Sequence, residues 1–330
     1  VKVKEAVEQT KIDLVKSIKA NLAKHPMSES ELADALEVAP KAIRDTMNQM
    51  RDRGANFSYV GNRVILHNLI EAGGRVVLNP DRDNGWTSFG ITTDNHLCNR
   101  HSRLDVLRAA YKHFHSEGIQ HVFNCGNWID GEARFNRQEL LVFGMDAQLD
   151  YMIQEWPSHP GITTHYISGD DHEGWYSQRE CINIGQYLEL KAIKSGRHDL
   201  HFIGHMESDV ALKIGKFEVP MRLMHPGGGS AYALSYAPQK LVESFQGGEK
   251  PPVLIIGHYH KYDYCFPREV HVVSSGCTCD QTMFLRKNKI AAHVGYVILR
   301  VKQDKSDGHI ERVRIEWVPF YDRGFYEKRF

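Results

Sequence analysis

Five apolar stretches of this chain end alike, each a short β-prone run followed by a turn carrying aspartate, asparagine or histidine. They are "WTSFGITTDNH", "HVFNCGNWIDG", "ITTHYISGDDHEGW", "VPMRLMHPGGG" and "PPVLIIGHYH". In order they present Asp94 and His96, Asn127 and Asp130, Asp171 and His172, His225, then His258 and His260. With helical stretches between such runs, an α/β fold is expected. Ligands of open α/β sheets gather beyond the carboxyl ends of the strands. A single D-x-H, or one histidine after a strand, is common and mostly structural. All five in sequence define a site.

Charge excludes some alternatives. Lys+Arg and Asp+Glu are both 41, so net charge argues neither for a general polyanion binder nor for an acidic tail. Contact with nucleic acid must come from a local patch. The six cysteines form no C-x-x-C pair, and the Cys277/Cys279 spacing fits no usual zinc site. Scattered thiols of this kind lead to the expectation of a reducing, cytoplasmic compartment. No apolar run approaches the roughly 18 residues of a membrane span, and "VKVKEAVEQT" lacks the apolar core of a signal peptide.

Residues 1–68 read differently from the rest. Val7, Leu14, Val15, Ile18 and Leu22 recur on a helical period that Pro26 ends. "SESELADAL" opens on a capping box, with Ser28 as cap and Glu31 three residues on. A further helix is bounded by Pro40 in its first turn and Gly54 after its last. "FSYVGNRVIL" reads as two strands about a Gly61-Asn62 turn. Three helices and a hairpin in this order resemble a winged helix-turn-helix. In that setting Lys41, Arg44 and Arg51 of the third helix would face phosphates, with Arg63 near the wing tip. Asp45 and Asp52 dilute the charge, and a protein-docking module fits the same pattern. Residues 69–85 form the expected linker, with turn residues around one short apolar strand. The large domain then covers 86–330.

Taken together, the five motifs resemble the calcineurin-like metallophosphoesterase superfamily, whose pattern is D-x-H, G-D-x-x-D, G-N-H-D/E, an intermediate His, then G-H-x-H. The resemblance covers roughly Trp86 to Trp317. It implies a four-layer α/β/β/α sandwich and a dinuclear metal centre. Carried over by position, Asp94, His96 and His260 would hold one metal, and Asp171, His225 and His258 the other. Asn127 would stand at the bridge, and His172 would serve as general acid or phosphate contact. Imidazole mixed with carboxylate suits two divalent ions of Mn, Fe or Zn. Such a pair, about 3.5–4 Å apart, would generate a bridging hydroxide for in-line attack. The implied activity is that of a metal-dependent phosphodiesterase, with the N-terminal module suggesting a nuclease acting on DNA or RNA. Two alternatives stay open: a small-molecule phosphatase or nucleotide phosphodiesterase with a docking module, and a non-catalytic DNA-binding scaffold.

Two positions depart from the pattern. Asp171 stands where asparagine is usual and Asp170 lengthens its turn by a residue, while Asn127 stands where the bridging aspartate belongs. An amide oxygen is a much poorer bridge than two anionic oxygens. Asn127 is therefore an introduced Asp-to-Asn exchange, a natural counterpart of Asp171, or the mark of an inactive domain. Arg134 and Arg137 read mainly as solvated surface, and "HPGGG" as a loop that lets backbone approach phosphate or simply as a connector. The aromatic tail "WVPFYDRGFYEKRF" could cover the core or stack on bases.

Overall fold

The computed structural model describes residues 14, 15, 17, 18, 20–22, 24–52, 56–67, 76–81, 84–180, 182–229 and 232–320. The chain divides into one compact unit of Val1–Glu71 with Ser177–Asn183, and a second of Ala72–Tyr176 with Ile184–Phe330.

The first unit has helical residues between Leu14 and Leu22, then β1 (Met27–Ser28), helices Glu29–Ala35 and Pro40–Asp52, β2 (Asn56–Val60) and β3 (Arg63–His67). The helix at Glu29 starts there because Ser28 Oγ accepts from the Glu31 amide while the Glu31 carboxylate accepts from the Ser28 amide. This reciprocal cap satisfies two otherwise orphan N–H groups. Strands β2 and β3 form an antiparallel hairpin, and β1 adds antiparallel to β3, giving the order β1–β3–β2. Ile18, Leu32, Ile43, Met47, Phe57 and Val64 close the small core. Among the basic residues expected to face phosphate, Arg44 pairs with Glu29 at 3.0 Å and Arg63 lies 3.6 Å from Glu31. Lys41 is exposed, and the Arg51 side chain lies outside the described residues.

In the second unit the strands are β4 (Val77–Leu78), β5 (Trp86–Ile91), β6 (His121–Asn124), β7 (Thr163–Ser168), β8 (Leu200–His205), β9 (Glu207–Ile214), β10 (Phe217–Met224), β11 (Val253–Ile256), β12 (Tyr262–Cys265), β13 (His271–Ser275), β14 (Gly295–Gln303) and β15 (Ile310–Pro319). They make two six-stranded sheets, β15–β14–β5–β6–β7–β8 and β12–β13–β11–β10–β9–β4. Within the first, β5 to β8 run parallel, with β14 and β15 antiparallel at one edge. Within the second, β10, β11 and β13 run parallel. The strand expected inside the 69–85 linker is β4, and its parallel pairing with β9 makes it part of the second sheet. Residues 68–75, 82 and 83 of the connector region lie outside the described residues, as do 321–330 of the aromatic tail.

The two sheets pack face to face through Phe89, Phe123 and Ile167 on one side and Leu212, Leu223 and Ile255 on the other. Alternation on β11 explains why all four of its residues are apolar. Val253 and Ile255 enter the core between the sheets, while Leu254 and Ile256 meet Val242 and Phe245 at helix Tyr236–Ser244. Helices Leu104–Ser116, Met145–Glu155 and Ile184–Lys194 cover the outer side of the first sheet, where Tyr111 Oη meets Thr164 Oγ1 at 2.6 Å and Trp156 Nε1 donates to Tyr111 Oη. The order is helix, sheet, sheet, helix: the four-layer α/β/β/α sandwich. Among the described residues no helix is long and apolar enough to cross a membrane. Cys98, Cys125, Cys265, Cys277 and Cys279 are free thiols, and Cys181 lies outside the described residues.

Candidate metal centre

All five motif turns follow the carboxyl ends of β5, β6, β7, β10 and β11, neighbours within their respective sheets. Beyond the strands the turns stitch to one another. Asp94 N donates to Gly126 O, His96 N to Asn127 O, and Asp130 N to Leu97 O. Two glycines permit this closeness. A Cβ on Gly126, at φ +95°, would lie 2.6 Å from His225 Nδ1, and one on Gly169 would lie 2.7 Å from His225 Cδ2. Asp94, His96, Asn127, His172, His258 and His260 all have positive φ. For residues with a Cβ this conformation costs of order 1–3 kcal/mol each, so it persists only where surrounding contacts enforce it.

Three close groups of donor atoms result among the described residues; one of them, His96 with Asp130 and His172, shares His96 with another, which leaves two separate triads. Asp94, His96 and His260 form the first, and Asp171, His225 and His258 the second. Asp94 is fully buried, taking bonds from the His258 amide and from Thr93 Oγ1. His96 Nδ1 donates to Asp130 Oδ1 at 2.9 Å, which leaves Nε2 as the free lone pair, 3.0 Å from His260 Nε2. In the second triad His225 Nδ1 donates to the Cys125 carbonyl at 2.5 Å and His258 Nε2 to the Gly228 carbonyl at 2.7 Å. Both tautomers are thereby fixed, with His225 Nε2 3.2 Å from Asp171 Oδ1 and His258 Nδ1 3.5 Å from Asp171 Oδ2. Binding the second nitrogen of a ligand histidine in this way is the usual support of a metal site.

The residues fit divalent cations. Asn127 Oδ1 and His260 Nδ1 are buried without hydrogen-bond partners, a costly state for polar atoms unless something else satisfies them. Asn127 donates from Nδ2 to Asp94 Oδ1 at 3.3 Å, so it reaches the first triad while its own oxygen stays unmatched. The second triad is the more open, with Asp171 26% and His258 18% exposed at the side chain against 0% for Asp94 and 2% for His96.

Asp130, present in the second motif but given no role by sequence reasoning, is the hub of the site. Its carboxylate accepts from His96 Nδ1, Asn99 Nδ2 and Asn136 Nδ2, and lies 3.3 Å from His172 Nδ1. Its carbonyl also accepts from His172 Nδ1 at 2.9 Å. Burial would raise the Asp130 pKa, but His172 and His96 hold it far below the usual carboxylate range. Burial would likewise lower the His172 pKa, yet Asp130 and Asp171 bring it up to about 9. At His225 burial also lowers, while Asp171 beside it, with Asp94 and Glu173, raises the value to about 9 in the metal-free protein.

Glu173 was missed too. It is fully buried, its Oε1 accepts from the amides of Asn127 and Gly169, and burial lifts its pKa to about 7. It ties the second motif turn to the third. In sequence it is only a first-turn glutamate beside Asp171 and His172. Arg137, exposed and paired with Glu132 at 2.7 Å, does not line the cavity; nor does Arg134.

No family model matches the chain, and no curated protein is similar to it in sequence. Among solved structures, an archaeal phosphodiesterase aligns at 13% identity over 70% of this chain and 100% of its own, with a TM-score of 0.37. Zinc-complexed Vps29 from Entamoeba histolytica aligns at 13% identity over 71% and 100%, TM-score 0.33. Plasmodium GAP50 aligns at 10% over 72% and 90%, TM-score 0.39. Likeness at this level says nothing of activity; the architecture stands on this chain's own strand order.

Proposed function

We propose that this chain is a dinuclear metal-dependent phosphodiesterase that acts on nucleic acid. One observation carries the reading: two Asp/His triads converge at the strand ends, with the second nitrogens of His96, His225 and His258 already held by neighbouring groups. Asp94, His96 and His260 would hold one ion; Asp171, His225 and His258 the other; Asn127 lies beside Asp94 and lines the same cavity. This donor set suits Mn, Fe or Zn, with Mn the ion to try first. Bound there, such ions supply Lewis-acid stabilisation of phosphoryl charge and acidify the attacking water.

The protein's own contribution is positional. Asp130 fixes His96 and His172 together, so the ligand and the proton donor share one support. With His172 Nδ1 engaged by Asp130, its Nε2 is the nitrogen left to give a proton to the departing ester oxygen. Asn127 brings no charge to the cavity beside Asp94, so the reading includes slow turnover by this chain. The nucleic-acid part draws its support from the helices and hairpin of the first unit and from the basic side chains Lys41, Arg44 and Arg63.

The test is a substrate panel with the Mn-loaded full chain and its Asn127→Asp form: single-stranded DNA, duplex DNA, RNA, a cyclic nucleotide and bis(p-nitrophenyl) phosphate. Cleavage of a polynucleotide that weakens in Lys41→Gln/Arg63→Gln and at raised salt supports the full reading. Cleavage of the small diesters alone retains the phosphodiesterase and removes the nuclease. Metal binding with both forms inert on every ester leaves a non-catalytic scaffold and overturns the proposal.

A further inference from the structure

The cavity beside the triads, about 370 Å³, has a second wall that phosphodiester hydrolysis does not itself require. With side chains of the triads, Phe135, Trp175 and Phe284 line the cavity. Their rings form a continuous path to the site. Phe284 meets Phe135 at 5.3 Å between centroids, Phe135 meets Trp175 edge-on at 5.5 Å, Trp175 meets His172 at 4.6 Å, and His172 meets His96 at 4.3 Å. Phe135 is 55% exposed and Phe284 49%. Large aromatic faces left open beside a polar centre mark a binding surface.

The charge of the cavity narrows what binds. Asp130, Glu139 and Asp171 line it, and no lysine or arginine does among the described residues. Anion binding must therefore depend on the bound cations and on His172, and a ligand of several phosphates would meet three carboxylates with no lysine or arginine to balance them. What matches is one phosphate at the triads joined to a flat, uncharged ring. We infer that Phe135, Trp175 and Phe284 form a stacking subsite for the nucleobase of the nucleotide whose phosphate lies at the metal centre. The inference rests on the phosphodiesterase reading of the same cavity. Stacking on aromatic side chains is tolerant of base identity, and its loss weakens binding about five- to a hundredfold.

Direct binding tests it, independently of turnover. Calorimetry on the Mn-loaded full chain compares thymidine 5′-monophosphate, deoxyribose 5-phosphate and inorganic phosphate, with Phe135→Leu and Phe284→Leu as variants. Both positions are exposed enough for folding to survive, and leucine keeps the apolar surface while removing the ring. The expected result is that the nucleotide binds at least about tenfold tighter than the sugar phosphate. Each variant should remove most of that gain and leave inorganic phosphate unchanged. Equal affinity for nucleotide and sugar phosphate, or variants without effect, overturns the subsite while phosphate binding keeps the phosphodiesterase reading alive. A base-dependent gain without any Mn-dependent phosphate binding does the reverse. Variants that alter only self-association in sedimentation identify the aromatic wall as a protein contact and overturn the inference. Once the subsite holds, a 5′-phosphorylated oligonucleotide bound tighter than the mononucleotide identifies a strand end as the source; equal or weaker binding identifies a free nucleotide.

Discussion

Asn127→Asp separates shape from charge at the centre of the site. In the present chain the Asn127 amide donates to Asp94 Oδ1 at 3.3 Å, and Asp94 has no exposure to water. Aspartate puts an oxygen where the NH2 group stands. Two unit charges at that separation repel by about 5 kcal/mol at an effective dielectric of about 20, and the lost hydrogen bond costs about 1 kcal/mol more. Proton uptake by one carboxyl relieves part of this, which leaves the metal-free variant about 3–5 kcal/mol less stable. For a unit of this size that is a fall of about 6–20 °C in Tm. Manganese should reverse the order, because a carboxylate beside Asp94 gains far more from divalent charge than an amide does. Scanning calorimetry of both chains, in EDTA and in excess Mn, reads the two signs. Turnover of bis(p-nitrophenyl) phosphate should rise about a hundred- to a thousandfold in the aspartate form. Equal Tm in EDTA together with equal Mn shifts would refute the placement of Asn127 beside Asp94.

Three further outcomes follow from particular contacts. His165, buried between His121 and His201, has its pKa depressed to about 3 by burial and then by those two neighbours. The unfolded chain therefore takes up the proton first, so this contribution is intact above about pH 6.5 and falls away toward pH 3, by about 2 kcal/mol at pH 5; denaturation of His165→Leu across that window should show a shallower acid limb, and identical slopes would contradict it. Asp130→Asn should weaken Mn at the first triad about ten- to a hundredfold, with less effect at the second, by calorimetric titration. Gly169→Ala puts a Cβ 2.7 Å from His225 Cδ2 and 3.2 Å from Asp171 Oδ1; it should cost about 1–3 kcal/mol of stability and one ion per chain, measured by unfolding and elemental analysis.

The strand ends that carry the two triads were legible because apolar runs and their terminal Asp and His residues are local in sequence. Ser28 with Glu31 was legible for the same reason: a reciprocal cap spans three residues. What joins distant segments was not. The hub role of Asp130 depends on Asn99 and Asn136 reaching it from separate turns, and Glu173 acts by accepting amides from two motifs at once. The positive φ of six site residues leaves no mark in composition, since none of them is glycine. That Arg44 and Arg63 lie beside Glu29 and Glu31 depends on the fold and is likewise not shown by sequence. The aromatic wall draws Phe135, Trp175 and Phe284 from three segments, and no spacing rule connects those positions.

The central claim is that the two triads hold two ions. Its most direct measurement is the anomalous scattering of Mn in crystals of the loaded full chain, with elemental analysis of the same protein and of His225→Ala. The account predicts two ions per chain, one among Asp94, His96 and His260 and one among Asp171, His225 and His258, with only the second lost in the variant. A single ion, ions outside these triads, or two ions retained without the His225 imidazole would contradict it.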